Sequence, residues 1–374
     1  MAITRRAFLK AGCLCIGTHL LGCGGGARAP RTALPDVGVL GAPDANGVRL
    51  PPGFESRIVA RTGETPVAGG AYAWHGAPDG GAVFPAPGGG WIYVSNAECR
   101  TPDGGVGALR FDRDGTVVDA YPILAGTDRN CAGGATPWDT WLSCEEASDG
   151  RVWECDPFGV DDPVVLPALG VFCHEAAAVD PVRGHVYLTE DERDGRFYRF
   201  VPDVYPDLSS GRLEVAEVAG GGVVWHPVPD PSAATGPTRY QVAASTPFNG
   251  GEGCDLNDGR VYFTTKGDDR VWCYDIAAAA LTVLYPGDSF LTGVDNVLVT
   301  PDDEVLVAED GGDLEIVAIL PGGELLPLLQ LVGHDDSEIA GPAFDPSRRR
   351  LYFSSQRGTA GDGITFEIAG PFVA

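Results

Sequence analysis

The stretch HEAAAVDPVRGHVYLTED, His174 to Asp191, carries the pattern on which the fold turns. A small apolar run, Ala176 to Val179, leads to a turn containing Asp180, Pro181 and Gly184. A second run, Val186 to Thr189, then ends in two acids, Glu190 and Asp191. Val186 and Leu188 alternate with Tyr187 and Thr189, the period of a half-buried strand. Asp, Pro and Gly between two such runs mark a tight antiparallel connection. The segment therefore reads as a hairpin whose open end brings Glu175 beside Glu190.

The same plan recurs in AVFPAPGGGWIYVSNAE from Ala82, GATPWDTWLSCEE from Gly134, EGCDLNDGRVYFTTK from Glu252, DNVLVTPDDEVLVAED from Asp295 and GPAFDPSRRRLYFSSQ from Gly341. Four units continue into a third strand: GRVWECD, GRFYRFVPD, DRVWCYD and GITFEIAG. No segment has a convincing amphipathic helical period, and 53 Gly with 30 Pro suit a chain dominated by turns. Six repeats of roughly 40 to 70 residues, each of three or four strands, predict an all-β, six-bladed β-propeller with a metal site in its central channel. Seven blades are the nearest competitor.

In such a ring the open ends of all hairpins face one side. Glu252 then lies beside Lys266, and Asp295 beside Glu309. Asn96 and Glu98, Glu145 and Glu146, Glu190 and Asp191, and Glu309 and Asp310 close equivalent strands. His174 with Glu175, Glu252, and Asp295 with Asn296 open others. Single acidic pairs after strands are ordinary turn residues. Recurrence at matching positions crowds carboxylates, which repel unless cations intervene or their pKa values rise. Hard cations such as calcium take these oxygens, whereas a thiolate suits iron or zinc. Cys144, in WDTWLSCEE from Trp138, stands in the sequence where other units place an acid, and points to mixed metals.

The N-terminus indicates export. Thr4 to Lys10, TRRAFLK, is a twin-arginine signal, and the apolar segment behind it is too short to span a bilayer. Leu20-Leu21-Gly22-Cys23 resembles a lipobox, so residues 1–22 read as signal peptide and Cys23 as the lipidated residue. Residues 23–46, rich in Gly, Pro and Ala, read as a tether, and 47–374 as the propeller domain. The expectation is an extracytoplasmic, membrane-anchored monomer that meets the membrane through its lipid alone. With 26 Lys+Arg against 52 Asp+Glu, nucleic acid is a poor partner. Once Cys13 and Cys15 leave with the signal and Cys23 is lipidated, seven of the 10 cysteines remain. An odd number leaves one thiol unpaired, and Cys99 with Cys131 is a candidate disulfide.

From Tyr93 to the C-terminus, WDTWLSCEE, FCHEAAAVDPVRGHVYLTEDERDGRFYRFVPD, GGEGCDLNDGRVYFTTKGDDRVWCYD, VDNVLVTPDDEVLVAEDGG and AGPAFDPSRRRLYFSSQRG resemble, in order, the signature blocks of PhoX-type alkaline phosphatases, in their compact branch. The resemblance implies a channel cluster of two ferric ions and calcium that hydrolyses phosphate monoesters of small molecules outside the cytoplasm. It implies Cys144 as an iron ligand, and Glu175, Glu252, Asp295 and Glu309 as metal ligands. Glu98, Asn96, Glu145, Glu190 and Asp310 follow as further ligands, with His174, Asn296 and Gln356 in support. The chain departs from larger members at Asn96-Ala97-Glu98, where they have Asn-His-Glu, and at Gly250, where they place a phosphate-binding arginine. Lys266, the only lysine besides Lys10, and Arg357 are the bases placed to meet a phosphate. No Gly-x-Ser-x-Gly elbow or phosphate-binding glycine loop competes. A non-catalytic calcium-binding surface propeller and a lactonase-like propeller hydrolase are the alternatives.

Overall fold

The computed structural model describes Leu34 and residues 37–373. The export signal, Cys23 and most of the tether lie outside them. Among the described residues there is no α-helix, only strands, turns and short 3-10 segments such as Pro167–Leu169. None of their helical segments is long and apolar enough to cross a membrane.

The strands build antiparallel sheets in a propeller-like arrangement. Pro78–Pro85, Trp91–Ala97, Gly104–Phe111 and Val117–Thr127 form one sheet, and Asn130–Ala135, Trp141–Glu145, Val152–Cys155 and Val164–Val165 the next. A nine-stranded sheet follows. It comprises a run from His174–Val179 to Gly222–Pro227 and a run from Gly251–Asn257 to Ala280–Tyr285, joined at the single edge pair Gly222 and Ala280. Val294–Val299 to Leu325–Leu331 and Ile339–Phe344 to Ile364–Ala369 complete the series. The first strand of each run packs against the first strand of the next, and Ile339–Phe344 returns to pack against Pro78–Pro85. These inner strands enclose the channel.

The sequence explains the turns. The Asp180 carboxylate accepts the backbone N–H groups of Val182 and Arg183, and Asp345 accepts those of Arg349 and Arg350. Each aspartate thus closes its hairpin by imitating a backbone turn. Crowding at the axis explains the small residues of the inner strands. A Cβ on Gly134 would sit 1.7 Å from the Ala177 carbonyl oxygen, and one on Gly253 2.5 Å from the Val297 nitrogen.

One expectation is corrected. The strand Val186–Glu190 is buried on both faces rather than half-buried, because it lies between two neighbouring sheets. Val186 and Leu188 join Leu142 and Val152 in one apolar cluster, while Tyr187 joins Phe197 and Phe263 in another. Phe197 and Phe263 stack with ring centroids 4.4 Å apart. Each buried aromatic of this kind contributes about 1.5–3 kcal/mol relative to exposure.

The chain closes on itself. Glu55–Arg61 pairs along Ile364–Ala369, from Glu55 opposite Ala369 to Arg61 opposite Ile364, and Val48–Arg49 pairs with Leu331 and Gln330. Asn46 donates its amide to the Ser56 hydroxyl at 2.8 Å, and Leu34 is buried beside Leu314 and Leu331.

Replacing Gly134 with alanine forces the inner strands apart. Gly134→Ala is expected to lower stability by about 1–3 kcal/mol, read as a fall in thermal unfolding midpoint.

Candidate metal centre

Every inner strand carries a register shift near its first residues. In five hairpins the residue just before the shift is paired across the hairpin: Pro78 with Ala97, Asn130 with Glu145, His174 with Glu190, Gly251 with Thr265, and Val294 with Glu309. The next residue falls in the bulge, and there stand Asp79, Cys131, Glu175, Glu252 and Asp295. One step past the end of the partner strands stand Glu98, Glu146, Asp191, Lys266, Asp310 and Gln356. A bulge re-aims a side chain out of the ladder. Here it turns ligand-type residues into the channel.

The result is a chain of four groups, in each of which the ligand atoms lie within 4.8 Å of one another: Cys131, Glu146 and Glu175; Glu175, Glu252 and Asp295; Asp295, Asp310 and Glu338; and Asp79, Glu98 and Glu338. Glu175, Asp295 and Glu338 are each shared by two groups. Cys131 Sγ lies 3.6 Å from Asp79 Oδ2, which closes the circle. Asp191 stands close by: a Cβ on Gly250 would lie 3.3 Å from its Oδ1 and 3.8 Å from Glu252 Oε1.

Burial, then the charges of Glu252 and Asp295, hold the Glu175 carboxyl well above the carboxylate range. Burial, then Glu98 and Asp295, do the same to Asp79. Burial, then Glu98 and Asp191, push Glu146 up to about 8. Burial alone would lower the Lys266 ammonium, but Asp295, Glu252 and Asp310 outweigh it and raise it. Glu175 is 0% exposed, and neither of its oxygens has a hydrogen-bond partner. A buried carboxylate without donors is costly unless a proton or cation joins it. The donor set, carboxylate oxygens with one thiol, fits hard divalent cations together with a softer metal at the thiol.

Several residues expected at the site are found there: Glu98, Glu175, Glu252, Asp295 and Asp310, with Lys266 among them. Others lie outside the circle, their polar atoms engaged elsewhere. Glu145 accepts the N–H groups of Asp128 and Arg151, and Glu309 those of Thr292 and Glu315. Glu190 accepts from the Arg196 N–H, the Tyr198 hydroxyl and Arg239. Asn96 donates to the Cys131 and Ala132 carbonyls and accepts from Trp141 and Ser143. The bulge is the reason, since it offsets the two hairpin ends by one residue.

Cys144 requires a similar correction of place. It is buried in an apolar cluster with Leu142, Val152 and Leu166, and the thiol within the acidic circle is that of Cys131. Strand alternation separates Cys144 from its neighbours: Ser143 bonds to Asn96 and Glu145 to the Asp128 and Arg151 N–H groups, while Cys144 faces the next sheet. All seven described cysteines are free thiols, Cys99 and Cys131 included. Sequence reasoning did not select Asp79 or Glu338, named Glu146 and Asp191 only among the strand-end acids, and placed Cys131 in a candidate disulfide. Most of the inner-strand ligands precede small residues, as in Asp79-Gly80-Gly81, Cys131-Ala132-Gly133, Glu175-Ala176-Ala177 and Glu252-Gly253. That signal could have found Asp79 and Cys131.

The supporting residues have clear tasks. Gln356 donates to Asp79 at 2.5 Å and Glu98 at 2.7 Å. Asn296 donates to Asp295 at 2.7 Å and accepts the Gly341 N–H. His174 is buried, stacks on Phe172 with centroids 3.5 Å apart, and has a pKa lowered by burial to about 3. It is therefore neutral, with Nε2 on the Gly170 carbonyl. Arg357 is half-exposed and bonds Glu338 at 3.1 Å.

The raised carboxyl groups set a pH dependence for metal-free protein. Burial pushes Glu146 up to about 8 in the fold from its ordinary 4.5, so its contribution to stability is complete below pH 4.5 and is lost as pH rises through about 8. Chelator-treated protein is expected to show a falling unfolding midpoint across that window, with a shallower fall in Glu146→Gln. Calorimetry over the pH series checks both.

The model of the family "Alkaline phosphatase PhoX" matches residues 93–155 and 148–270. No curated protein matches the chain. Among solved structures, Pseudomonas fluorescens PhoX in complex with vanadate, a transition state analogue, superposes with a TM-score of 0.73 at 16% identity, covering 90% of this chain and 98% of that one. XC5397 from Xanthomonas campestris, a gluconolactonase, superposes with a TM-score of 0.55 at 13% identity, again over 90% and 98%. At such identities the superpositions speak for the fold alone, while the family match covers the run from Tyr93 through Cys131, Glu146, Glu175, Glu252 and Lys266. Over residues 93–270 the chain matches the PhoX family of alkaline phosphatases, a family of hydrolases, and its fold is shared with a PhoX structure.

Proposed function

We propose that this chain is an extracytoplasmic, metal-dependent phosphoesterase that cleaves phosphate monoesters of small molecules on a six-bladed propeller, the nine-stranded sheet counting as two blades. The observation that carries the reading is the closed circle of eight carboxylates and one thiol in which buried Glu175 has no donor of its own. Cys131, Glu146 and Glu175 would hold iron, and the all-oxygen groups around Glu252, Asp295, Asp310, Glu338, Asp79 and Glu98 would hold calcium. When bound, such ions lower the pKa of a coordinated water and offset the charge of phosphoryl oxygens.

The protein's own groups complete the arrangement. Gln356 and Asn296 fix the carboxylates of Asp79, Glu98 and Asp295 by hydrogen bonds, the orienting task of groups behind a metal ligand. Lys266 balances three carboxylates, so an anionic ester approaches a less repulsive rim. Arg357, at the rim with a 47% exposed side chain, offers a planar fork suited to a phosphate dianion. His174 is neutral and turned to a carbonyl, so it positions the strand that carries Glu175. Export and lipid anchoring at Cys23 rest on the twin-arginine and lipobox residues of the N-terminus.

Elemental analysis and hydrolysis of an aryl phosphate at alkaline pH test the reading. Cys131→Ser is expected to lose iron and to lower kcat by more than the roughly 10–100-fold that loss of an outer partner costs, whereas Cys144→Ser keeps both. Purified protein that holds calcium alone and leaves the ester intact would sink the proposal. For Arg357→Gln, KM is expected to rise by about tenfold, equivalent to ~1.4 kcal/mol, with kcat little changed. Steady-state kinetics separate the two parameters.

A further inference from the structure

Lys266 is the single lysine of the described residues, in a chain that otherwise uses arginine. Its Nζ lies 3.1 Å from Glu252 Oε1, 3.4 Å from Asp295 Oδ2 and 3.1 Å from Asp310 Oδ2. Glu252 and Asp295 belong to one candidate ligand group, Asp295 and Asp310 to the next, so the ammonium sits where two groups meet. Three N–H donors face three carboxylates. A guanidinium fork is planar and engages a carboxylate edge-on, which would not satisfy three acceptors spread around one point.

The same oxygens would suit a hard cation. Calcium binds carboxylate oxygens at about 2.3–2.6 Å, so the cage now held open around Nζ would need to contract by only a few tenths of an ångström to 1 Å. The backbone fixes the ammonium's root: the Lys266 N–H donates to the Gly250 carbonyl at 2.8 Å. An independent sign that this end of the channel takes cations is Glu175, fully buried, adjacent to Glu252 and Asp295 in the circle, and without a donor on either oxygen.

We propose that the Lys266 ammonium substitutes for one divalent cation at the junction of Glu252, Asp295 and Asp310, so that the circle closes with one metal ion fewer than its oxygens could bind. The inference rests on the metal reading of the site given above. Removing the side chain converts the junction into a calcium-class site.

The test counts ions. Full-length protein and Lys266→Ala are equilibrated with millimolar calcium, freed of excess by gel filtration and analysed for metals per chain. One additional calcium is expected in Lys266→Ala, and none in Lys266→Ala combined with Asp310→Asn. Thermal unfolding of Lys266→Ala is expected to depend more steeply on calcium than that of the parent. A folded Lys266→Ala with the parent's calcium count overturns the proposal, as does a variant that fails to fold at any calcium concentration. A parent that holds no cation overturns the metal reading and this proposal with it. A metal-bearing parent whose variant gains nothing overturns this proposal alone.

Discussion

Strands that converge on a common axis have little room, and that crowding governs this molecule. Side chains on the inner strands shrink to glycine and alanine, to the point that a single methyl at Gly134 would collide with the Ala177 carbonyl. Close approach also breaks the regular ladder, and each inner strand shifts register near its first residues. The shift frees one residue per strand from pairing, and in five of the six inner strands that residue is Asp79, Cys131, Glu175, Glu252 or Asp295. Packing and chemistry are thus linked. Gly80 and Gly253, which let neighbouring strands meet, stand directly after Asp79 and Glu252, residues that a metal would use.

Sheet architecture was legible because a period of two and Asp-, Pro- or Gly-containing turns are local signals. The recurring acids marked the right end of the right strands. What the residues alone did not reveal was a displacement of one position. A hairpin without a bulge pairs Glu175 with Glu190; the structure pairs His174 with Glu190 and sends Glu175 into the channel. The same offset leaves Glu145, Glu190 and Glu309 holding loop N–H groups while Glu146 and Asp310 enter the circle. Cys144 and Cys131 exchange places for a related reason, since alternation along Trp141–Glu145 points Cys144 into the neighbouring sheet. Asp79 and Glu338 were hidden differently, because each stands before the apolar run that defines its repeat.

Electrostatics explain why this end of the channel cannot be a passive surface. Eight carboxylates and a thiol share a small volume with Lys266 and Arg357 facing them and Arg129 beside Glu146. Burial removes the solvent that would screen their repulsion. Protons can relieve the strain at low pH and cations at higher pH, so the fold and its ions are coupled through the same oxygens. Charge on the rest of the surface, at -26 for the whole chain, adds to the preference for cations over polyanions.

The pairing of Glu55–Arg61 with Ile364–Ala369 has a consequence for the order of assembly. That ladder ties a strand that precedes the first sheet to the last sheet of the series, so it cannot form until the residues through Ala369 have been synthesised. Glu338 and Gln356, which complete the ligand circle and orient Asp79 and Glu98, also come late in the sequence. Contacts of such long sequence separation form slowly because loop closure must precede their gain. The circle of acids is consequently complete only when the last inner strand has packed against Pro78–Pro85, so any ions would enter a closed ring of sheets rather than a growing one.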